Sequence, residues 1–203
     1  GQPVDVNATE ADGTTALHRA VQHDDVELTE RLIAAGADVN AANRYQVTPL
    51  SLAALNGSAS MIERLLDAGA APDQAALDGE TPLLTAARTG TPEVVAQLIA
   101  HGADPNAREG WRGQTALMWA AAEGHPAVAR LLIEHGADVH AASNDKFTPL
   151  LFAVRRGDIA TTRLLLDARA QVTETAPDGT SVLVLAILNA HYELAAELLD
   201  AGA

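Results

Sequence analysis

The chain has 203 residues, with 13 Lys plus Arg against 27 Asp plus Glu and a net charge of −14; this balance repels phosphate backbones and anionic lipid surfaces, so nucleic-acid partners and membrane insertion are not expected. Cysteine is absent, which excludes a disulfide scaffold and any thiolate metal site or nucleophile. Hydrophobic residues reach 48%, too many for a disordered acidic chain, yet Trp, Tyr and Phe supply only two each, so Ala, Leu, Ile and Val must fill the core.

The opening stretch, 1–9, contains Val4-Asp5-Val6-Asn7-Ala8, which returns 33 residues later as Ala37-Asp38-Val39-Asn40-Ala41. It is expected to be a linker or the tail of a preceding repeat. Thr15-Ala16-Leu17-His18 then starts a motif that recurs at Thr48-Pro49-Leu50, Thr81-Pro82-Leu83, Thr115-Ala116-Leu117, Thr148-Pro149-Leu150 and Ser181-Val182-Leu183. The steps are 33, 33, 34, 33 and 33 residues. A second frame, Gly36-Ala37-Asp38, Gly69-Ala70, Gly102-Ala103-Asp104, Gly136-Ala137-Asp138, Ala170 and Gly202-Ala203, advances by the same steps. Two markers holding one period through six copies define a repeat array. Its boundaries fall at approximately 10–42, 43–75, 76–108, 109–142, 143–175 and 176–203, read as one domain.

Each copy reads as two short helices and a turn. In the fourth, Thr115 opens an Ala-rich helix, the strongest helix-forming composition, and Gly124 ends it in a left-handed conformation. Pro126 suits the first turn of a second helix, whose apolar face is Val128, Leu131 and Leu132. Asp12-Gly13, Asp78-Gly79 and Asp178-Gly179 are turn dipeptides between copies. The extra residue of the 34-residue step lies within 108–113 and enlarges the fourth turn.

These residues carry a family resemblance. Thr15 to Ala20 (T-A-L-H-R-A) and Leu132 to Val139 (L-I-E-H-G-A-D-V) are similar to the ankyrin-repeat pattern of T-P-L-H-x-A followed by L-L-x-x-G-A-D-V-N. The resemblance spans nearly the whole chain. It implies an all-α solenoid of stacked helix-turn-helix units with β-hairpin fingers, in which fingers and first helices line a concave face. It also implies partners that are proteins. Asp24 and Ala190 depart from the pattern where Gly should end a first helix, Gln46 and Lys146 replace the finger Gly, and Arg169 replaces the Gly before Ala170. Such irregularity fits a natural array, and the Ala-rich, Cys-free composition fits a bacterial source. The last helix keeps Leu194, Leu198 and Leu199 at core spacing, so some apolar surface there is expected to lack cover.

The sequence carries no phosphate loop, nucleophile elbow or H-E-x-x-H zinc motif. His18 and His125 fall at repeat-locked positions, and His101 and His135 sit at helix ends where a cation complements the dipole. Asp12, Asp38, Asp78, Asp104, Asp138 and Asp178 recur once per copy and are expected to turn the backbone. Neither enzyme activity, cofactor nor metal is expected. Ser58 and Ser60 have no partnered base.

The residues that the repeat does not need point to function. Tyr45, Trp111 and Phe147 fall in the fingers, where large rings are expected to be exposed interface anchors. Trp119 and Phe152 are expected to pack between repeats, and Tyr192 to be structural. Arg44, Arg112 and Lys146 are finger cations; Arg88, Arg155 and Arg156 end first helices. The expected site is a concave patch of Arg44, Tyr45, Trp111, Arg112, Lys146, Phe147, Arg155 and Arg156 that docks an acidic or mixed-charge protein segment. A solvated surface of mixed charge is the plainer account of the same cations. The expected function is a monomeric, non-catalytic protein-interaction scaffold. An accessory targeting domain of a larger enzyme or channel, or a purely structural or engineered scaffold, are the alternatives. The compartment stays open between cytoplasmic and periplasmic or secreted.

Overall fold

The computed structural model describes residues 5–203; residues 1–4, including Val4 of the expected tail, lie outside the described residues. Twelve helices follow in six pairs: α1 (Ala16–Gln22) with α2 (Val26–Ala34), α3 (Pro49–Asn56) with α4 (Ala59–Asp67), α5 (Pro82–Thr89) with α6 (Pro92–Ala100), α7 (Ala116–Glu123) with α8 (Pro126–Glu134), α9 (Pro149–Arg156) with α10 (Ile159–Asp167), and α11 (Val182–Leu188) with α12 (Tyr192–Asp200). The class is all-α. The chain forms two compact units, Gly1–Asp104 and Pro105–Ala203, with three helix pairs in each.

Local chemistry sets every boundary of the first helices. Thr15, Thr48, Thr81, Thr115, Thr148 and Ser181 are N-caps whose hydroxyls accept a backbone N–H from His18, Ser51, Leu84, Met118, Leu151 and Val184, each cap contributing about 1 kcal/mol. Pro49, Pro82 and Pro149 occupy the first turn, where no N–H is needed. Among the described residues five non-glycines have positive φ: Asp24 (54°), Gln46 (59°), Lys146 (63°), Arg169 (75°) and Ala190 (60°). They are the five positions where the repeat pattern asks for glycine. Left-handed backbone costs a residue with a Cβ about 1–2 kcal/mol, so the repeat imposes its turn geometry even against the local preference.

The core is aliphatic. Leu50, Leu83, Leu117 and Leu150 of the first helices and Leu65, Leu98, Leu132, Leu165 and Leu198 of the second are buried. Alanines between them, such as Ala53, Ala86 and Ala120, are fully buried and let helices approach closely. In α8 the covered face is Val128, Ala129 and Leu132, while Leu131 is only half-buried. Two core hydroxyls, of Thr29 and Thr162, are buried with no hydrogen-bond partner. Both lie 14 residues after their N-cap, a register held by Ile62 in α4 and Val95 in α6.

Side-chain amides stitch neighbouring repeats. Asn7 donates to Gly36 O and accepts from Asp38 N; Asn40 does the same with Gly69 O and Ala71 N, and Asn106 with Gly136 O and Asp138 N. Asn56, in a glycosylation-type triplet, donates to Val21 O. The recurring aspartates turn the backbone as expected: Asp12, Asp38, Asp78, Asp138 and Asp178 each accept the N–H two residues on.

Two features differ from the sequence reading. The fingers are turns rather than β-hairpins: among the described residues only the isolated bridges Thr9–Thr15 and Thr175–Ser181 occur, because each finger is closed by a backbone bond across four or five residues, too short for a ladder. Tyr192, expected to be structural, is exposed; Leu199 is exposed too, as the uncovered apolar surface expected of the last helix. Together with Val184, Ile187 and Leu188 they form an uncovered end face, at registers such as those of Met118 and Ala121 that are fully buried in the fourth pair.

Candidate functional site

Fingers and first helices meet on a surface whose residues differ from repeat to repeat. Three positions define it, counted from the N-cap: one residue before, four after and seven after. In the first unit they are Thr14, Arg19 and Gln22, then Val47, Leu52 and Leu55, then Glu80, Thr85 and Arg88. In the second unit they are Gln114, Trp119 and Ala122, then Phe147, Phe152 and Arg155, then Thr180, Leu185 and Leu188. The cap before them and the core behind them stay constant, so this surface can change chemistry without disturbing the fold.

In the second unit an aromatic and cationic surface forms at the fourth and fifth repeats. The fourth finger is enlarged by its extra residue, and Glu109 organises it by accepting the N–H groups of Trp111, Arg112 and Gln114 at 2.6, 2.7 and 3.0 Å. Trp111 projects with 79% of its surface exposed, and the Arg112 guanidinium lies 5.2 Å from its ring centroid. Asn144 ties the fifth finger to the fourth, donating from its backbone to Arg112 O at 2.7 Å and from its side chain to Trp111 O at 3.0 Å. Gly113 fits the turn there without moving the Asn144 amide. Its φ is +64°, and a Cβ would lie 2.6 Å from Asn144 Oδ1.

The fifth repeat brings Phe147 and Arg155 together with a residue assigned to packing. Phe147 and Phe152 have centroids 5.6 Å apart, and Arg155 lies 5.3 and 5.0 Å from the two rings. Phe147 is thus half-buried by its own neighbours rather than a free anchor. Phe152 is buried. Arg155, Arg112 and Lys146 are exposed, and no salt bridge forms to any of them among the described residues. Arg156 sits apart from this cluster, with Nε 3.3 Å from where a Gly124 Cβ would be.

The first unit holds Arg44 and Tyr45 in a different setting. Arg44 donates to Ala11 O at 2.6 Å, which secures its guanidinium to the preceding finger. Tyr45 is 58% exposed. Here the helix cations are paired: Arg19 with Glu10 at 2.6 Å and Arg88 with Glu80 at 3.0 Å. His18 is buried, takes the Thr15 N–H on Nδ1 at 3.2 Å and meets Val47 O through Nε2 at 3.0 Å. Burial pushes its pKa below the ordinary value, so the ring is held neutral, joining neighbouring turns from its repeat-locked position. His101 and His135 place Nδ1 2.8 Å from the carbonyls of Gln97 and Leu131, serving helix ends. His125 is the N-cap of α8 without a side-chain capping bond.

Leu55 and Leu77 were not singled out by sequence. Leu77 precedes the finger turn Asp78-Gly79, four residues before its repeat threonine, the spacing at which Trp111 stands from Thr115. That shared spacing was the available signal. Among the described residues no cluster of His, Asp and Glu could hold a metal ion, and no helix is long and apolar enough to cross a membrane.

Comparison with known proteins gives one family. A model described as ankyrin repeats (3 copies) matches residues 2–76 and 52–143. No curated protein matches the chain.

Proposed function

The chain belongs to the ankyrin-repeat family, a family that generally mediates protein–protein interaction, and from that premise we propose that it is a non-catalytic scaffold that binds an acidic segment of a partner protein on its finger face. The observation that carries this reading is the pose of Arg155. Its guanidinium lies over Phe147 and Phe152 and has no carboxylate partner. A cation held on ring faces keeps its N–H edge free, and that edge matches a carboxylate in bidentate geometry. Trp111 with Arg112 repeats the arrangement at the neighbouring finger. An exposed Trp beside an unpaired Arg is the composition of interface hot spots. The bond from Asn144 to the preceding finger orders this surface before any partner arrives, which lowers the entropic cost of binding. Arg44 and Tyr45 extend the reading to the first unit as a separate contact, and Lys146 and Arg156 add positive charge in the second.

Affinity capture from an extract of the source organism tests this, with the intact chain and a Trp111→Ser/Arg155→Ser variant of equal helicity as baits. A protein held by the first, lost from the second and displaced by poly-glutamate rather than poly-lysine supports the reading. Equal retention by both baits overturns it.

A further inference from the structure

Among the described residues the first unit exposes four large apolar side chains, Leu28, Tyr45, Leu55 and Leu77. One of them, Leu55, lines a groove. It has a volume of about 210 Å³ and lies where finger and helix α3 of the second repeat face finger and helix α5 of the third. Val47, Leu52, Leu55 and Ala76 make its apolar walls. Leu77 stands between two lining residues in the chain, Ala76 and Asp78, and donates its N–H to Tyr45 O at 3.2 Å, which ties the third finger to the second beside the groove.

The fold does not need these apolar groups. Leu55 is 51% exposed at a position that Gln22, Arg88 and Arg155 fill in other repeats. Leu77 is 70% exposed at one that Ala11, Arg44 and Asn144 fill. Apolar side chains grouped around a depression on a stable scaffold mark a contact surface. Its size selects the occupant, since ligand pockets begin near 300 Å³, and this one has room for a side chain rather than a metabolite. Its charge selects the neighbour. Glu80 is satisfied inside the groove by Thr85 Oγ1 at 2.8 Å and Arg88 at 3.0 Å, and those two charges cancel. Asp78 lines the groove, is exposed, and has no cationic partner among the described residues, so the residual charge is negative.

We propose that this groove seats an aliphatic side chain of a partner protein segment that carries a lysine or arginine beside it, directed at Asp78. The site rests on the first unit alone and does not depend on the reading of the aromatic surface.

Nuclear magnetic resonance of the full chain tests it, titrating acetyl-Ser-Lys-Leu-Leu-Lys-Ser-amide and, separately, the same peptide with Glu in place of Lys. The expected result is saturable amide shifts at Val47, Leu55 and residues 76–80 with the lysine peptide. The glutamate peptide should bind about threefold more weakly, the weight of one exposed ion pair. Leu55→Ser should abolish saturation, and Asp78→Asn should erase the preference between peptides. Leu52→Ser serves as a second variant should Leu55→Ser alter the spectrum of the free chain. Shifts that never saturate, that fall outside these residues, or that are equal for both peptides overturn the proposal.

Discussion

The third and fifth repeats share nearly everything except the side chains on their finger face. Both first helices begin Pro-Leu-Leu, at Pro82 and Pro149; both have a threonine cap, and both end at a left-handed glycine, Gly90 and Gly157. At the same three positions the third repeat carries Glu80, Thr85 and Arg88, joined through one carboxylate oxygen. The fifth carries Phe147, Phe152 and Arg155, joined through ring faces. The first triad satisfies its own charges, whereas the second keeps a cation ordered and unpaired. Equal backbones with opposite electrostatics teach that this surface is decoupled from the fold and free to specialise.

The widest separation is expected from Phe152→Ala against Thr85→Ala. Removing the 6%-exposed ring should lower stability by about 3–4 kcal/mol and the hydroxyl by about 1 kcal/mol, read from urea midpoints. Equal losses would break the distinction between a triad anchored by a buried ring and one anchored by a buried hydroxyl.

Acid separates the two units. His18 is buried neutral in the first, while its register in the second is held by Met118, Leu151 and Val184. Its folded pKa lies below 6.5 and its unfolded pKa near it, so the unfolded chain takes up the proton first. Stability should therefore be flat above pH 6.5 and fall below it until the folded ring also titrates, with a slope of at most about 1.4 kcal/mol per pH unit. Hydrogen exchange should show the loss in α1 and α3 and not in α9, and His18→Gln should flatten it.

Transplanting the third repeat's chemistry sharpens the comparison. Phe147→Glu should cost about 1 kcal/mol, because a half-buried ring is lost and one exposed ion pair to Arg155 is gained. The variant should also acquire a salt dependence that the parent lacks at this position. Of similar size and opposite sign, Thr29→Val and Thr162→Val should each stabilise by about 1 kcal/mol, read as a rise in Tm, since both hydroxyls are buried without partners.

The smallest expected difference separates the two arginines. Arg88→Ala and Arg155→Ala should each cost about 0.5–1 kcal/mol. One molar NaCl should reduce the first effect, to which a partly exposed ion pair contributes, and leave the second, which rests on a ring contact.

Much of the fold was legible because its determinants lie within one turn of chain. The threonine caps, the first-turn prolines and the five strained substitutions for glycine are all local, and each stands where the repeat pattern places it. The candidate surface was legible in part. Tyr45 and Trp111 project as their finger positions imply. Phe147 is half-covered by Phe152 and Arg155 from the following helix, a pairing that no finger-level reading contains. Leu55 and Leu77 escaped notice because leucines in a repeat of leucines read as core.

The sequence alone determined the period, the helix pairs, the caps and the left-handed turns, because these depend on contacts between residues a few positions apart and recur identically down the chain. Only the tertiary structure decided which rings are exposed, which arginines are neutralised and which leucines face water. Those outcomes depend on what a finger meets on its own helix and on the next repeat, over distances set by packing rather than by spacing along the chain.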